Sequence, residues 1–230
     1  MKAIQQMLKK TSSCETTDSL EKQMSVLNSR KLYCLHVKPK LRHPTSMKYW
    51  SDRLRCNITD VMWEKIFQLP RHTTNNNFVR ELQLTINHHT YASDSYVGHF
   101  IRNINRNCKF CQQENDILHW FIECSKVIDF WTLFTKWIIR TFQYDVSGDI
   151  KHILFGILDD NMVEVNFCIL IAKLYVHNIR QCHRDKDNIY FSFTSYLYDL
   201  KEYLSIEKEI TYMKNQTSFK TRFKTLHENL

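Results

Sequence analysis

Four residues near the middle of the chain have the types and spacing to hold a metal ion: Cys108, Cys111, His119 and Cys124, a Cys-x2-Cys-x7-His-x4-Cys pattern. Two cysteines separated by two residues can present both thiolates from one tight turn. The seven-residue spacer then returns the chain so that His119 and Cys124 close a tetrahedron. Three sulfurs and one imidazole suit Zn²⁺, which makes no geometric demand beyond four-coordination. Protein ligands would fill every position, leaving none for an activated water, so the spacing predicts one structural zinc ion in a knuckle. The intervening residues Asn107, Lys109 and Gln112 to Asn115 are polar and too few to bury a core without metal. The remaining cysteines, Cys14, Cys34, Cys56, Cys168 and Cys182, have no partner spacing and read as packing or surface thiols.

Other chemistry-bearing groups form no complete site. Asp159-Asp160 has the look of the acidic pair with which polymerases hold Mg²⁺, but no third carboxylate on a separate strand accompanies it. It reads as an acidic loop after a helix. His88 and His89 are consecutive, and on a helix they point about 100° apart, one inward and one outward. No glycine-rich phosphate loop and no nucleophile triad spacing occurs, so the chain reads as non-catalytic. Arg102, Arg106 and Lys109 enter the cysteine cluster at three- to four-residue spacing. On a helical turn the two arginines would share a face and, with Lys109, offer a cationic patch to nucleic acid, with Phe110 or Trp120 available to stack on a base. In the competing reading the arginines pair with Glu114, Asp116 or Glu123.

Helices must position these residues. Only three Gly and three Pro occur in 230 residues, so tight turns are scarce and long helices are favoured over a many-stranded sheet. The spacing predicts a helix capped by Thr59 or Asp60, with Met62, Trp63, Ile66 and Phe67 on one face and Pro70 just beyond its end. Phe78, Leu82 and Ile86 recur every four residues as one buried stripe, and Ser93 caps a segment through Tyr96, Val97 and Phe100. Ser125 caps an apolar helix bearing Ile128, Trp131, Phe134 and Ile138, and Asp145 to Asp149 marks a break. A long helix from about Val163 to Gln181 turns Phe167, Leu170, Ile171 and Leu174 inward. The last carries Tyr196, Leu197, Leu200 and Leu204 into a charged tail. The expected class is mostly α, a helical domain with one embedded Cys-Cys-His-Cys knuckle. Its organisation is a basic lead-in over 1–45, a helical segment over 46–107, the knuckle over 108–124 and a second helical segment over 125–230.

Charge narrows the partner. The formal net charge is +8, and residues 1–50 hold ten Lys and Arg against three Asp and Glu. A phosphate backbone is the commonest partner of such a field. An anionic membrane is the second commonest, but the expected partner is single-stranded RNA or DNA, with no membrane. No apolar run is read as approaching the roughly 20 residues that span a bilayer, and Met1 to Lys10 lacks the apolar centre of a signal peptide. The expectation is an intracellular protein, cytoplasmic or nuclear, whose cysteines are reduced unless a metal holds them.

The run Cys108 to Trp131, CKFCQQENDILHWFIECSKVIDFW, resembles the zinc-knuckle region that follows the reverse transcriptase in polyproteins of LINE-type (non-LTR) retrotransposons. Trp63-Glu64-Lys65-Ile66, Arg80-Glu81-Leu82-Gln83, His88, Ile153-Leu154-Phe155-Gly156 and Ile171-Ala172-Lys173 are similar to further stretches of that family, in the same order. The likeness spans about Met47 to Met213. His89, Ser93-Asp94 and Ser125 depart from it. The resemblance implies a C-terminal, non-enzymatic part of such a polyprotein, without its endonuclease and polymerase. Such a part would hold template RNA or target DNA near the element's own reverse transcriptase. A protein-interaction module or an inert remnant with a purely structural zinc site is the alternative.

Overall fold

Thirteen of the twenty residues of the helix Val163–Cys182 are buried, from Val165 to Val176 without a break and then Arg180. A helix apolar on all sides belongs at the centre of a body, with other elements laid around it. The computed structural model describes residues 44–182, 188–214 and 219–230, and Thr45–Leu230 form one unit. In chain order the helices are α1 (Thr45–Arg53), α2 (Asp60–Thr73), α3 (Asn77–Asn87), the short α4 (Asp94–Val97), α5 (Ser125–Phe142), α6 (Ile150–Phe155), α7 (Val163–Cys182), α8 (Phe193–Met213), α9 (Phe219–Arg222) and α10 (Lys224–Asn229). A π-helical turn, His119–Glu123, precedes α5. The central α7 packs against α2, α3, α5, α8 and that turn. Among the described residues there is no strand, only an isolated antiparallel bridge between Asn107 and Glu114. The mostly α expectation holds. The expected basic lead-in lies, up to residue 43, outside the described residues, as do Cys14 and Cys34.

Several local expectations are corrected. Pro70 sits inside α2, in its last turn, and the helix continues to Thr73. Thr59 caps α2 as expected, its hydroxyl accepting from the Met62 amide at 3.3 Å. In α3 the buried face is Val79, Gln83, Ile86 and Asn87, whereas Phe78 is 78% exposed. Polar side chains took those core places because they bond one another there. α3 ends at Asn87, so the two histidines lie just past the helix rather than on it; His88 is exposed, and His89, half-buried at φ +56°, stacks on Tyr49 at 3.5 Å. Cys124, not Ser125, occupies the N-cap of α5, whose buried side is Val127, Phe130, Trp131, Phe134, Trp137 and Ile138, with Ile128 outside. In the charged tail after α8, Phe219, Phe223 and Leu226 join the core. Asp160–Cys182, a stretch that includes α7, is long and apolar enough to cross a membrane by length and composition, against the expectation of no such run; two thirds of that window (67%) is buried inside the body.

A polar thread crosses the core beside α7. Lys173, 1% exposed, donates from Nζ to Gln83 Oε1 and, at 2.9 Å, to the Leu154 carbonyl. Gln83 Nε2 donates to Asn87 Oδ1 at 2.7 Å, Asn87 Nδ2 to the Ile66 carbonyl at 3.2 Å, and Trp50 Nε1 to the Asn87 carbonyl at 3.1 Å. The thread ties α1, α2, α3 and α6 to the central helix. Gly156 ends α6 at φ +87°, and a Cβ there would meet Leu69 Cδ1 at 2.7 Å, so only glycine fits between α6 and α2.

Burial pushes the Lys173 ammonium down to about 7 from its ordinary 10.5. Between those values the unfolded chain binds the proton and the folded one does not. The penalty is therefore complete below pH 7 and relieved as pH rises. Unfolding free energy is expected to climb between pH 7 and 10 by up to about 1.4 kcal/mol per pH unit. Urea denaturation at pH 6.5 and 9.5 checks this, and the rise attributable to Lys173 disappears in K173M.

Candidate metal centre

A short hairpin carries the first two cysteines. The Asn115 amide donates to the Arg106 carbonyl at 2.8 Å, and the Cys108 amide to the Gln113 carbonyl at 2.7 Å. The Gln112 amide returns to the Cys108 carbonyl at 2.7 Å, with Gln112 in the left-handed region at φ +63°. This closes a tight loop around Lys109-Phe110-Cys111, aiming the amides of Phe110 and Cys111 at the Cys108 sulfur. Helix α4 braces the hairpin: Ser95 Oγ donates to Glu114 Oε1 at 2.6 Å and Asn115 Nδ2 to Asp94 Oδ2 at 2.7 Å.

The other two ligands come from the π turn. Asp116 starts it, its side chain accepting from the His119 amide at 2.8 Å. The turn closes when the Cys124 amide donates to the His119 carbonyl at 3.2 Å, the i→i+5 bond of a π-helix. In a regular α-helix residues five apart point about 140° away from each other. The wider turn swings His119 and Cys124 to the same side, and that is how a four-residue spacer serves one site. The turn is anchored by Phe121, fully buried, whose carbonyl accepts from Trp131 Nε1 at 2.7 Å. Outside, Arg53 of α1 pairs with Asp116 at 3.2 Å and Glu123 at 3.4 Å.

The four ligand atoms lie within 4.8 Å of one another. Cys108 Sγ is 3.9 Å from Cys124 Sγ, and Cys111 Sγ is 3.1 Å from His119 Nε2. A tetrahedral ion with ~2.3 Å bonds to sulfur and ~2.0 Å bonds to nitrogen has edges of about 3.8 and 3.5 Å. The group thus has the dimensions to hold a metal ion. Hydrogen bonding from the Cys124 thiol holds the Cys108 thiol well below the ordinary range, against the opposing effect of burial, with His119 and the Phe110 and Cys111 amides adding to the lowering. Cys124 is raised, because of that hydrogen bond and its burial, while the charge of Arg180 works to lower it. A bound dication would displace the thiol protons of both sulfurs.

The cationic residues expected beside the cluster fare differently. Residues 102–106 are not helical and Asn103 has φ +70°, so Arg102 and Arg106 share no helical face. Arg106 lies over Gly98 and donates from Nη2 to its carbonyl at 2.6 Å. Arg102 and Lys109 are exposed, with Lys109 Nζ 5.1 Å from the Phe110 ring centre. Trp120 is buried between Tyr91 and the Arg180 guanidinium, so it offers no free face to a base. The competing pairing fails too, since Arg53 takes Asp116 and Glu123 and Ser95 takes Glu114. Arg53 and Arg180 were missed in the sequence because they reach the cluster from residues more than fifty positions away. Asp159 caps the 3₁₀ turn Asp160–Met162 through the Asn161 amide. Comparison with models of known families, with curated proteins and with solved structures gives no match.

The Cys/His cluster is not a separable appendage. Cys108, Ile117, Leu118, Trp120, Phe121 and Cys124 belong to the same core as α5 and α7. With a metal held there, stripping it with a chelator is expected to loosen more than the loop. Hydrogen exchange should rise over residues 105–125 and also in the first turns of α5 and the last of α7. A rise confined to 105–125 would contradict this.

Proposed function

We propose that Cys108, Cys111, His119 and Cys124 hold one structural Zn²⁺, and that the chain is a non-catalytic, metal-stapled helical domain that binds nucleic acid. It would be of the kind that follows the reverse transcriptase in LINE-type elements. The convergence of two thiols from a hairpin and a thiol and imidazole from a π turn carries the reading. A three-sulfur, one-nitrogen set favours zinc over the oxygen-preferring Mg²⁺ and Ca²⁺. Its four protein donors complete the tetrahedron, which fits an ion that supports folding. The nucleic-acid part rests on the +8 net charge, on exposed Arg102 and Lys109, and on the resemblance carried by CKFCQQENDILHWFIECSKVIDFW.

In this reading affinity comes from phosphate neutralisation and carries little sequence preference. Metal analysis of purified protein should find one zinc per chain. R102A/K109A should weaken binding to single-stranded RNA of any sequence and flatten its salt dependence by about 0.7 for each phosphate no longer neutralised. Zinc with no salt-dependent RNA or DNA binding would leave a structural zinc site in a protein-interaction or inert domain. A metal-free protein with the same melting behaviour would remove the reading altogether.

A further inference from the structure

Among the described residues five buried side-chain atoms have no hydrogen-bond partner, and four of them lie around one cavity: Asn115 Oδ1, Trp120 Nε1, and Nε and Nη2 of Arg180. Buried polar groups are almost always satisfied, so such a concentration needs a cause. Arg180 is 3% exposed, and among the described residues no carboxylate pairs with it. An uncompensated guanidinium inside a protein is costly, and it cannot lose its proton to escape. Its surroundings say what offsets it. The guanidinium carbon sits 5.0 Å from the centre of the Trp120 ring, next in sequence to His119. The cavity of ≈ 40 Å³ that it lines has Cys108 in its wall, together with Asp94, whose carboxylate accepts from Asn115 Nδ2, and Lys109.

Asp94 shares the cavity wall but makes no ion pair with Arg180, and the metal centre would supply a negative charge on the cavity's other side, at Cys108. A dication bound by three thiolates and a neutral imidazole carries one net negative charge, buried in the same core. One buried cation beside one buried anion is a balanced pair; either alone is not. We infer that Arg180 is the outer-sphere counter-ion of the metal centre, set against it across a small hydrated cavity. That volume accommodates about three waters, each needing two to four polar partners. The N–H groups of Arg180 and Trp120, with Asn115 Oδ1, supply donors and an acceptor for them. Arg180 occupies no ligand position in the metal's own shell, so it acts as a positioning and charge-balancing residue.

The inference rests on the metal reading above, and its test separates the two. Metal affinity is measured by competition with a zinc chelator for the wild-type chain, R180Q and R180K, with helix content of the metal-free forms as a control. R180Q keeps polar atoms for the cavity but removes the charge, and it should bind zinc about 10–100-fold more weakly. R180K keeps the charge and should retain most of the affinity. An equal drop in both variants would mean that Arg180 acts only by packing on Trp120, and an unchanged affinity in R180Q would mean that its charge is irrelevant; either overturns the inference. Should R180Q fail to fold, R180K decides: wild-type-like affinity supports the inference, and a tenfold drop with the charge retained overturns it. A wild-type chain that takes up no zinc would instead remove the metal reading itself.

Discussion

Two cysteine sulfurs sixteen residues apart in sequence meet at 3.9 Å inside the core, and the arrangement of both halves of the molecule depends on that approach. Cys108 belongs to a hairpin braced by α4, and Cys124 caps α5, the helix that lies along α7. Neither sulfur has an apolar reason to be there as a thiolate. A bare pair of thiolates would repel, and a pair sharing one proton supplies little cohesion. A thiophilic dication changes the balance, because its binding free energy is gained only when all four ligands are brought together, so that metal binding and folding become one process.

Glu207, Lys173 and Arg180 are buried in the same core, and the fold treats them in different ways. Glu207, 1% exposed, is fully engaged by the Thr74 hydroxyl and the Asn75 amide and side chain, which clamps α8 to the turn between α2 and α3. Lys173 meets neutral acceptors, and burial lowers its affinity for the proton. Arg180 makes no ion pair with a carboxylate among the described residues, and it lies where a metal centre would put a negative charge. Glu207 and Lys173 are thus structural polar groups whose partners are side chains, amides and carbonyls, whereas the partner of Arg180 is set by chemistry at the cysteines.

Much of the helical layout was legible because it follows from periodicity: the stripe of Phe167, Leu170, Ile171 and Leu174 is buried as read, and so are Tyr196, Leu200 and Leu204. The ligand spacing was legible because the cysteines and histidine are local in sequence. What escaped depended on meetings between distant segments. Gln83 and Asn87 take places on the inward face of α3, leaving Phe78 exposed and Leu82 only partly buried, because Lys173, the Leu154 carbonyl and the Ile66 carbonyl wait there to bond them. Arg53 reached the acidic flank of the Cys/His cluster that only the competing reading had given to nearer arginines. The π turn could not be read either, since its widened register is imposed by Phe121 and Trp120 packing inward while Asp116 fixes its start.

The central claim is that these four side chains bind one zinc ion as a unit. Zinc K-edge X-ray absorption on the protein as purified tests it most directly, because it counts the donor atoms around the metal. The account predicts three sulfurs at ~2.3 Å and one nitrogen at ~2.0 Å, with the nitrogen contribution gone in His119→Ala. A shell dominated by oxygen or nitrogen, or one unchanged by that substitution, would contradict it.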